Sequence, residues 1–394
     1  MIHGLEMPKG YLFISNSTKP SGDQYTSLET FAIGSFSFVA MSVARDLGYR
    51  LYYGLNRKYA DKVSCTNFDV TFYDQHIYRS IFALRDNYKA YKNCCHFLET
   101  HSDIEVIHCN TPIGGVIGRL CGWKYRKKVI YTAHGFHFYK GAPLKNWLLY
   151  YPIEKILALL TDVIITMNKE DYVLASRRFK LHNGGKVYYV PGVGIDLKQY
   201  NNDSRREEKR QELGFTNEEK LAIIVGDLNE NKNVGTLIRA LPSIPVKLHY
   251  LICGIGPCEA ALRKLATDLN VEDRVHFLGY RRDIKDLYGI SDFFLMASKR
   301  EGLPRSTMEA MAVGLPCIVS NIRGNTDLID DGCGGYLVSS NDATGFATAI
   351  CHLLDNPKRI QEFGRYNKSR IESHSIPIVK TQMFEIIKNT IQDE

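Results

Sequence analysis

The sequence predicts an α/β protein made of two Rossmann-like domains facing across a cleft. Three observations carry that prediction. The chain has 394 residues, more than one ordinary domain holds. Short apolar runs alternate along it with longer amphipathic stretches, the pattern of βαβ units feeding a parallel sheet. The alternation breaks once, at Val190-Pro191-Gly192-Val193-Gly194-Ile195-Asp196. The strongly charged Asp203–Glu212 follows, and a Pro- and Gly-rich run beside a charged one reads as an interdomain crossing. The expected boundaries are residues 1–190 and 191–375, with a last helix over 376–394 packing back on the first domain.

In the first half the runs Tyr11–Ser15, Tyr49–Tyr53, Ile104–His108, Lys128–Ala133, Asp162–Thr166 and Val187–Val190 are apolar and rich in β-branched or aromatic residues, and read as strands. Helical periodicity falls between them over Thr26–Arg45, Ile77–Glu99, Lys145–Leu160 and Lys169–Arg178. The second half restarts the alternation. Strands are expected at Leu221–Val225, Leu248–Cys253, Val275–Leu278, Asp292–Met296, Pro316–Ser320 and Tyr336–Val338. Helices are expected at Val234–Leu241, Glu259–Asn270, Asp283–Tyr288, Ser306–Val313, Ala343–Leu354 and Pro357–Asn367, and a final amphipathic one at Ile376–Ile391. There is no repeat at solenoid period.

Apolar residues make up 44% of the chain and charged residues 24%, ordinary values for a globular protein. Its ten cysteines form no C-x-x-C pair and several lie in apolar runs, as in a reduced, cytoplasmic protein. The first residues lack the basic flank and apolar run of a signal peptide, and no stretch reaches 18 uninterrupted apolar residues. Charge is uneven. Residues 1–190 carry 24 Lys and Arg against 15 Asp and Glu, whereas residues 191–394 carry 26 against 28. A basic first half points to an anionic partner, and without a nucleic-acid motif lipid headgroups or a phosphate-bearing substrate are favoured over nucleic acid. A merely solvated basic surface is the bland alternative.

The stretch with the most chemistry is Glu301-Gly302-Leu303-Pro304-Arg305-Ser306-Thr307-Met308-Glu309. It lies between two apolar strands and places two carboxylates at a strand-to-helix junction, on the carboxyl edge of a parallel sheet, where such sheets bind ligands. The first amides of the helix favour an anion there. The structural alternative is a capping box, in which Glu309 reaches back to a backbone amide of Ser306. Other predicted strand ends are also polar. Gly226 and Lys232 bracket a loop suited to a phosphate. Cys253-Gly254-Ile255-Gly256-Pro257 is a glycine turn that a flat ring could approach. Tyr280, Arg281 and Asp283 form a third loop, and Arg323 lies in a fourth.

The order Val225-Gly226…Lys232, Cys253-Gly254-Ile255-Gly256-Pro257, Val275–Tyr280, Glu301-Gly302-Leu303-Pro304…Glu309 and Gly334-Gly335-Tyr336-Leu337-Val338 resembles glycosyltransferase family four over about residues 215–340. The resemblance implies a retaining enzyme of the GT-B fold that uses a nucleotide-sugar donor, with the acceptor on the first domain and the donor on the second. It implies that Glu301 orients the sugar and Glu309 holds the ribose. Gly302, Leu303, Pro304 and Arg305 would meet the diphosphate, Lys232 the phosphates, and Gly226, Gly254, Gly256, Pro257, Tyr280 and Arg281 would frame the rest of the donor. Tyr131-Thr132-Ala133-His134-Gly135 matches a stretch that places its histidine, here His134, beside the reacting sugar. Two positions depart from the pattern. Asp227 stands where the family usually has an arginine, and the usual Gly-Gly pair after the first strand is reduced to Gly22.

His108 and His137 are further acceptor-side candidates. The run from His134 to Gly141, with Trp147, Tyr150 and Tyr151 beyond, resembles bacterial enzymes of capsular or exopolysaccharide synthesis that act on polyprenyl-diphosphate-linked acceptors. This aromatic cluster with Lys140 and Lys145 would suit the inner face of an anionic membrane, or it packs into the core. No D-x-D metal motif occurs, so the expected chemistry uses neither metal nor cofactor. A GT-B epimerase, a phosphorylase and a two-lobed sugar-binding protein are the alternatives.

Overall fold

The computed structural model describes residues 8–15, 30–56, 64–78, 80–200, 206–244 and 248–392. They form two compact units: one runs to Gly194 and takes up the chain again at Ile376, and the other spans Ile195–Ser375.

The first unit runs β1 (Gly10–Ile14), β2 (Thr30–Phe31), α1 (Ser35–Asp46), β3 (Arg50–Leu55), β4 (Ser64–Cys65), β5 (Thr71–Asp74), α2 (Leu84–Thr100), β6 (Ile104–Asn110), α3 (Pro112–Lys124), β7 (Lys128–Ala133), α4 (Leu144–Ala158), β8 (Val163–Thr166), α5 (Lys169–Arg178) and β9 (Lys186–Tyr189). Seven of these strands make a parallel sheet in the order β5-β3-β1-β6-β7-β8-β9, and β2 pairs only with β4. Strand β1 is buried throughout because both faces of the sheet are covered: Leu12 and Ile14 join the core under α2 to α5, and Tyr11 and Phe13 the core under α1.

The second unit contains α6 (Arg206–Glu212), β10 (Lys220–Val225), α7 (Val234–Ala240), β11 (Leu248–Cys253), α8 (Glu259–Asp268), β12 (Val275–Gly279), α9 (Ile284–Ile290), β13 (Phe293–Met296), α10 (Arg305–Val313), β14 (Cys317–Ser320), α11 (Asn325–Leu328), β15 (Gly335–Val338), α12 (Ala343–Leu354) and α13 (Pro357–Ile371). Its six strands are parallel in the order β12-β11-β10-β13-β14-β15. Chain order reverses between β10 and β13, which pair as Ala222 with Phe293 and Ile223 with Phe294. A doubly wound sheet opens its ligand crevice at such a reversal. The last helix, α14 (Ile376–Gln392), belongs to the first unit and packs on α1, with Val379, Met383, Ile386 and Ile387 buried and Lys380 Nζ 2.5 Å from Asp46 Oδ2.

Several elements differ from the sequence reading. Helix α3 is absent from it because glycines at 114, 115, 118 and 122 argue against a helix. Packing overrides that propensity. A Cβ on Gly115 would lie 2.6 Å from the Tyr131 ring, one on Gly118 2.6 Å from Cys109 Cβ, and one on Gly122 2.1 Å from Val129 Cγ2, so this face lies flat on β6 and β7. Helix α2 begins at Leu84 rather than Ile77, since Asn56 holds Ile77 by both backbone groups, at 2.8 and 2.6 Å. Helix α1 begins at Ser35 rather than Thr26. The charged run read as a linker contains α6, whose Arg210 is 1% exposed and donates to the carbonyls of Ile290, Thr216 and Glu219.

Truncating Ile387 to Ala should cost about 3 kcal/mol in chemical unfolding, because it empties a fully buried site between α14 and α1. An unchanged unfolding midpoint would show that α14 adds nothing to the stability of the first unit.

Candidate functional site

The loops leaving β10 and β13 are fastened to each other at the strand-order reversal. Asn231 donates its side-chain amide to the Arg300 carbonyl at 3.0 Å, and its own carbonyl accepts from the Lys299 amide at 2.8 Å. Asn233, in the left-handed region at φ 52°, donates to the carbonyls of Ala297 and Ser340 at 3.2 and 2.7 Å. Between these clasps Lys232 Nζ lies 2.8 Å from Glu301 Oε1, both side chains mostly shielded from water. Arg323 Nε donates to the Glu301 carbonyl at 3.2 Å, and Gly324 at φ 83° sits so close to the Gly302 carbonyl that a Cβ would approach it to 2.4 Å. Four strand-end loops thus converge on one lysine–glutamate pair.

Helix α10 begins at Arg305, and its N-cap Pro304 makes no side-chain cap. The capping-box reading of Ser306 and Glu309 is therefore corrected, because Glu309 stands two positions beyond the place from which a side chain reaches back to the N-cap amide. Its carboxylate instead accepts from Arg305 Nε at 2.8 Å and from the Tyr288 hydroxyl at 3.3 Å. Burial pushes the Tyr288 phenol well above its ordinary range, so it remains a donor at neutral pH. The first amides of the helix lack intrahelical partners, and Gly302, Leu303 and Pro304 lead directly into them.

The glycines of the 253–257 turn have a different cause from the one expected. A Cβ on Gly254 would lie 1.9 Å from the Gly226 carbonyl oxygen, and one on Gly256 2.4 Å from that of Leu228. They let two loop backbones pack together, while Ile255 and Pro257 stay exposed beside them. Gly226, at φ 151°, leaves room for the Lys232 stem, whose Cε would be 3.0 Å from a Cβ there. Tyr280 is exposed. Arg281 forks onto Asp283 at 2.8 and 2.6 Å, and Lys209 reaches the same carboxylate at 2.9 Å. The Arg281 hydrogen bonds, with help from Lys209, hold Asp283 well below the usual carboxylate range. The Asp227 side chain is exposed.

In the first unit His134 follows β7. Its Nε2 is 3.3 Å from Asn110 Nδ2, its Nδ1 is 3.0 Å from Met167 Sδ, and Phe36 meets its ring edge-on. Burial lowers the imidazole to about 4, so it is neutral at physiological pH. The chain after it is pinned to the start of α5: buried Asp171 accepts from the Phe136 amide at 3.0 Å, and Glu170 from the Lys140 amide at 2.6 Å. Sequence reasoning missed both acids, although Asn168-x-x-Asp171 carries the signal of a capped helix start, and the Asn168 cap is present at 2.8 Å.

His108 is corrected from an acceptor-side residue to a core one. It is 1% exposed, with Nδ1 2.5 Å from the Tyr11 hydroxyl and Nε2 2.7 Å from Thr132 Oγ1. His137 packs its ring on Tyr150 at 4.7 Å. Trp147 and Tyr151, half-buried, pack on Phe138 at 5.6 and 5.3 Å, so these rings lie against the core on the inner side of α4. Gly22 lies outside the described residues.

Residues 205–370 match the family model described as glycosyl transferases group 1. The chain is similar to the putative glycosyltransferase EpsD of Bacillus subtilis (strain 168), 36% identical over 287 residues that cover 71% of this chain and 74% of EpsD. It is 28% identical over 261 residues to the UDP-Gal:alpha-D-GlcNAc-diphosphoundecaprenol alpha-1,3-galactosyltransferase of Escherichia coli, covering 64% of this chain and 67% of that enzyme. Among solved structures, Anabaena HepE in complex with UDP and glucose matches with a TM-score of 0.75 at 18% identity, over 97% of this chain and 100% of HepE. Its likeness bears on the fold, which is GT-B.

Because the folded His134 titrates near 4 and an unfolded histidine near 6.5, the unfolded chain binds more protons between those values. Stability should therefore fall as pH drops from 6.5 to 4, and His134→Gln should flatten part of that decline in denaturant midpoints. An unaltered slope would contradict the burial of the neutral ring.

Proposed function

The chain belongs to the group 1 glycosyl transferases, and on that premise we propose that it moves a sugar from a UDP-sugar to a polyprenyl-diphosphate-linked glycan, retaining the anomeric configuration. The observation that carries this reading is the Lys232–Glu301 pair at 2.8 Å, held by four loops at the strand-order reversal. A cation beside the start of α10 suits a diphosphate, and an acid beside the cation suits the hydroxyls of the sugar attached to it. Glu309, oriented by Tyr288 and Arg305, is positioned to accept from a ribose hydroxyl. The resemblance to family four supports both assignments and the place of His134 beside the sugar. The lipid-linked acceptor is supported by the Escherichia coli relative, whose name specifies a diphosphoundecaprenol acceptor. Capsule, exopolysaccharide or O-antigen synthesis at the inner face of the membrane is the corresponding setting.

In this reading the bond from the anomeric carbon to the donor phosphate oxygen breaks, and the nucleoside diphosphate leaves with the electron pair. The acceptor hydroxyl bonds to the same face of that carbon and gives its proton to the departing phosphate oxygen. Lys232, Arg305 at the first position of α10 and the helix amides take up the charge that develops, so no divalent metal is given a role. Arg305 also supplies a cation that Asp227 cannot. Neutral His134 accepts or donates a hydrogen bond at the sugar without adding charge.

Lys232→Ala should lower kcat about 100-fold. Glu309→Ala should raise the Kd for UDP about ten-fold in calorimetry with the unfolding midpoint kept, since Glu309 caps no helix. Absence of binding by UDP, GDP and ADP alike would sink the transferase reading.

A further inference from the structure

Helix α4 is apolar on the side that faces away from the protein. Its inner face packs Trp147, Tyr150, Tyr151 and Leu157 on the core. Its outer face presents Leu144, Leu148, Leu149, Ile153 and Ile156, with Leu148 71% and Ile156 63% exposed. Helix α3 packs beside it, tied by the buried Arg119–Glu154 pair at 2.7 Å, and adds the exposed Trp123. A helix surface facing water should carry charges at these positions, and an exposed apolar patch of this kind marks a surface that is covered in use.

We infer that the outer face of α3 and α4 docks on a bilayer containing anionic lipid. The charges specify the occupant. The single acid of α4, Glu154, is turned inward on Arg119, which leaves Lys145 and Lys155 as the exposed charges of the helix. Arg85 and Lys89 on α2, and Lys124 and Arg126 after Trp123, extend the cationic rim within the same helical layer. Leucine and isoleucine entering the acyl boundary, a tryptophan at headgroup depth and a lysine rim on the phosphates match the interfacial mode of binding. A two-fold contact between copies would bring these lysines together and is disfavoured by repulsion. Helix α4 lies on the surface: among the described residues no helix is long and apolar enough to cross a membrane. The purpose of this docking rests on the lipid-linked acceptor proposed above, but its test does not.

Flotation with vesicles of equal phosphatidylcholine and phosphatidylglycerol should carry the full chain upward. Vesicles of phosphatidylcholine alone should bind about ten-fold less. The double variant Leu148→Ser/Ile156→Ser should lose at least about ten-fold in vesicle binding while keeping its unfolding midpoint and its affinity for UDP. A wild-type chain that stays with the dense fraction overturns the proposal, as does a double variant that floats equally well. So does a wild-type dimer that the double variant dissociates, since the face would then be covered by a second copy. Failure of UDP binding with flotation intact would instead overturn the donor reading and leave the docking face standing.

Discussion

A parallel sheet whose strand order reverses leaves two neighbouring strand ends with loops that run away from each other, and something must hold the gap. In the second unit that task falls to Lys232 and Glu301 together with the asparagines beside the lysine. Asn231 and Asn233 satisfy backbone carbonyls of the facing loop, so the opposed charges meet at a fixed distance instead of wandering in solvent. Such a pair is worth little at an open surface, but partial burial and the hydrogen-bonded frame give it geometry. In the proposed reading the same arrangement offers a cation to the phosphates of the donor and an acid to the hydroxyls of its sugar.

The frame reaches beyond the two loops. Asn367, fully buried on α13, donates to the carbonyls of Leu315 and Gly334 at 2.8 and 2.7 Å and fixes the loops that lead into β14 and β15. Arg210 does the same from α6 for carbonyls below β10 and β13. These buried polar side chains fix the amino edge of the sheet, opposite the edge that carries the pair. In the first unit Asp171 and Glu170 hold the chain after His134 by its amides.

Much of this was legible in the sequence for a simple reason. Parallel strands buried on both faces are continuous apolar runs, and Lys128–Ala133, Leu248–Cys253 and the helices Lys169–Arg178 and Ala343–Leu354 have the bounds their patterns predict. Helix α3 was not legible, because its glycines obey the shape of the sheet below and not helical propensity. Burial also decides between like residues in ways that spacing cannot. His108 and His134 both stand at the ends of strands expected from the sequence, yet only His108 has both ring nitrogens within 2.7 Å of buried hydroxyls. The aromatics of α4 drew attention as an interfacial surface, but aromatic side chains fill a core well, and the apolar residues left outside are its leucines and isoleucines. Glu309 has the spacing of a capping residue from Ser306, but the N-cap is Pro304, two residues earlier.

The proposed function turns on the Lys232–Glu301 pair, whose lysine is assigned to the phosphates of the donor and whose acid to its sugar. Binding of UDP without its sugar to a Glu301→Gln variant, compared with the turnover of the same variant, tests this most directly. The account predicts that UDP binds at least as tightly as to the wild type, because the lysine no longer has a competing carboxylate, while turnover falls by about 100-fold for want of the acid at the sugar. A loss of UDP affinity in step with turnover would contradict it.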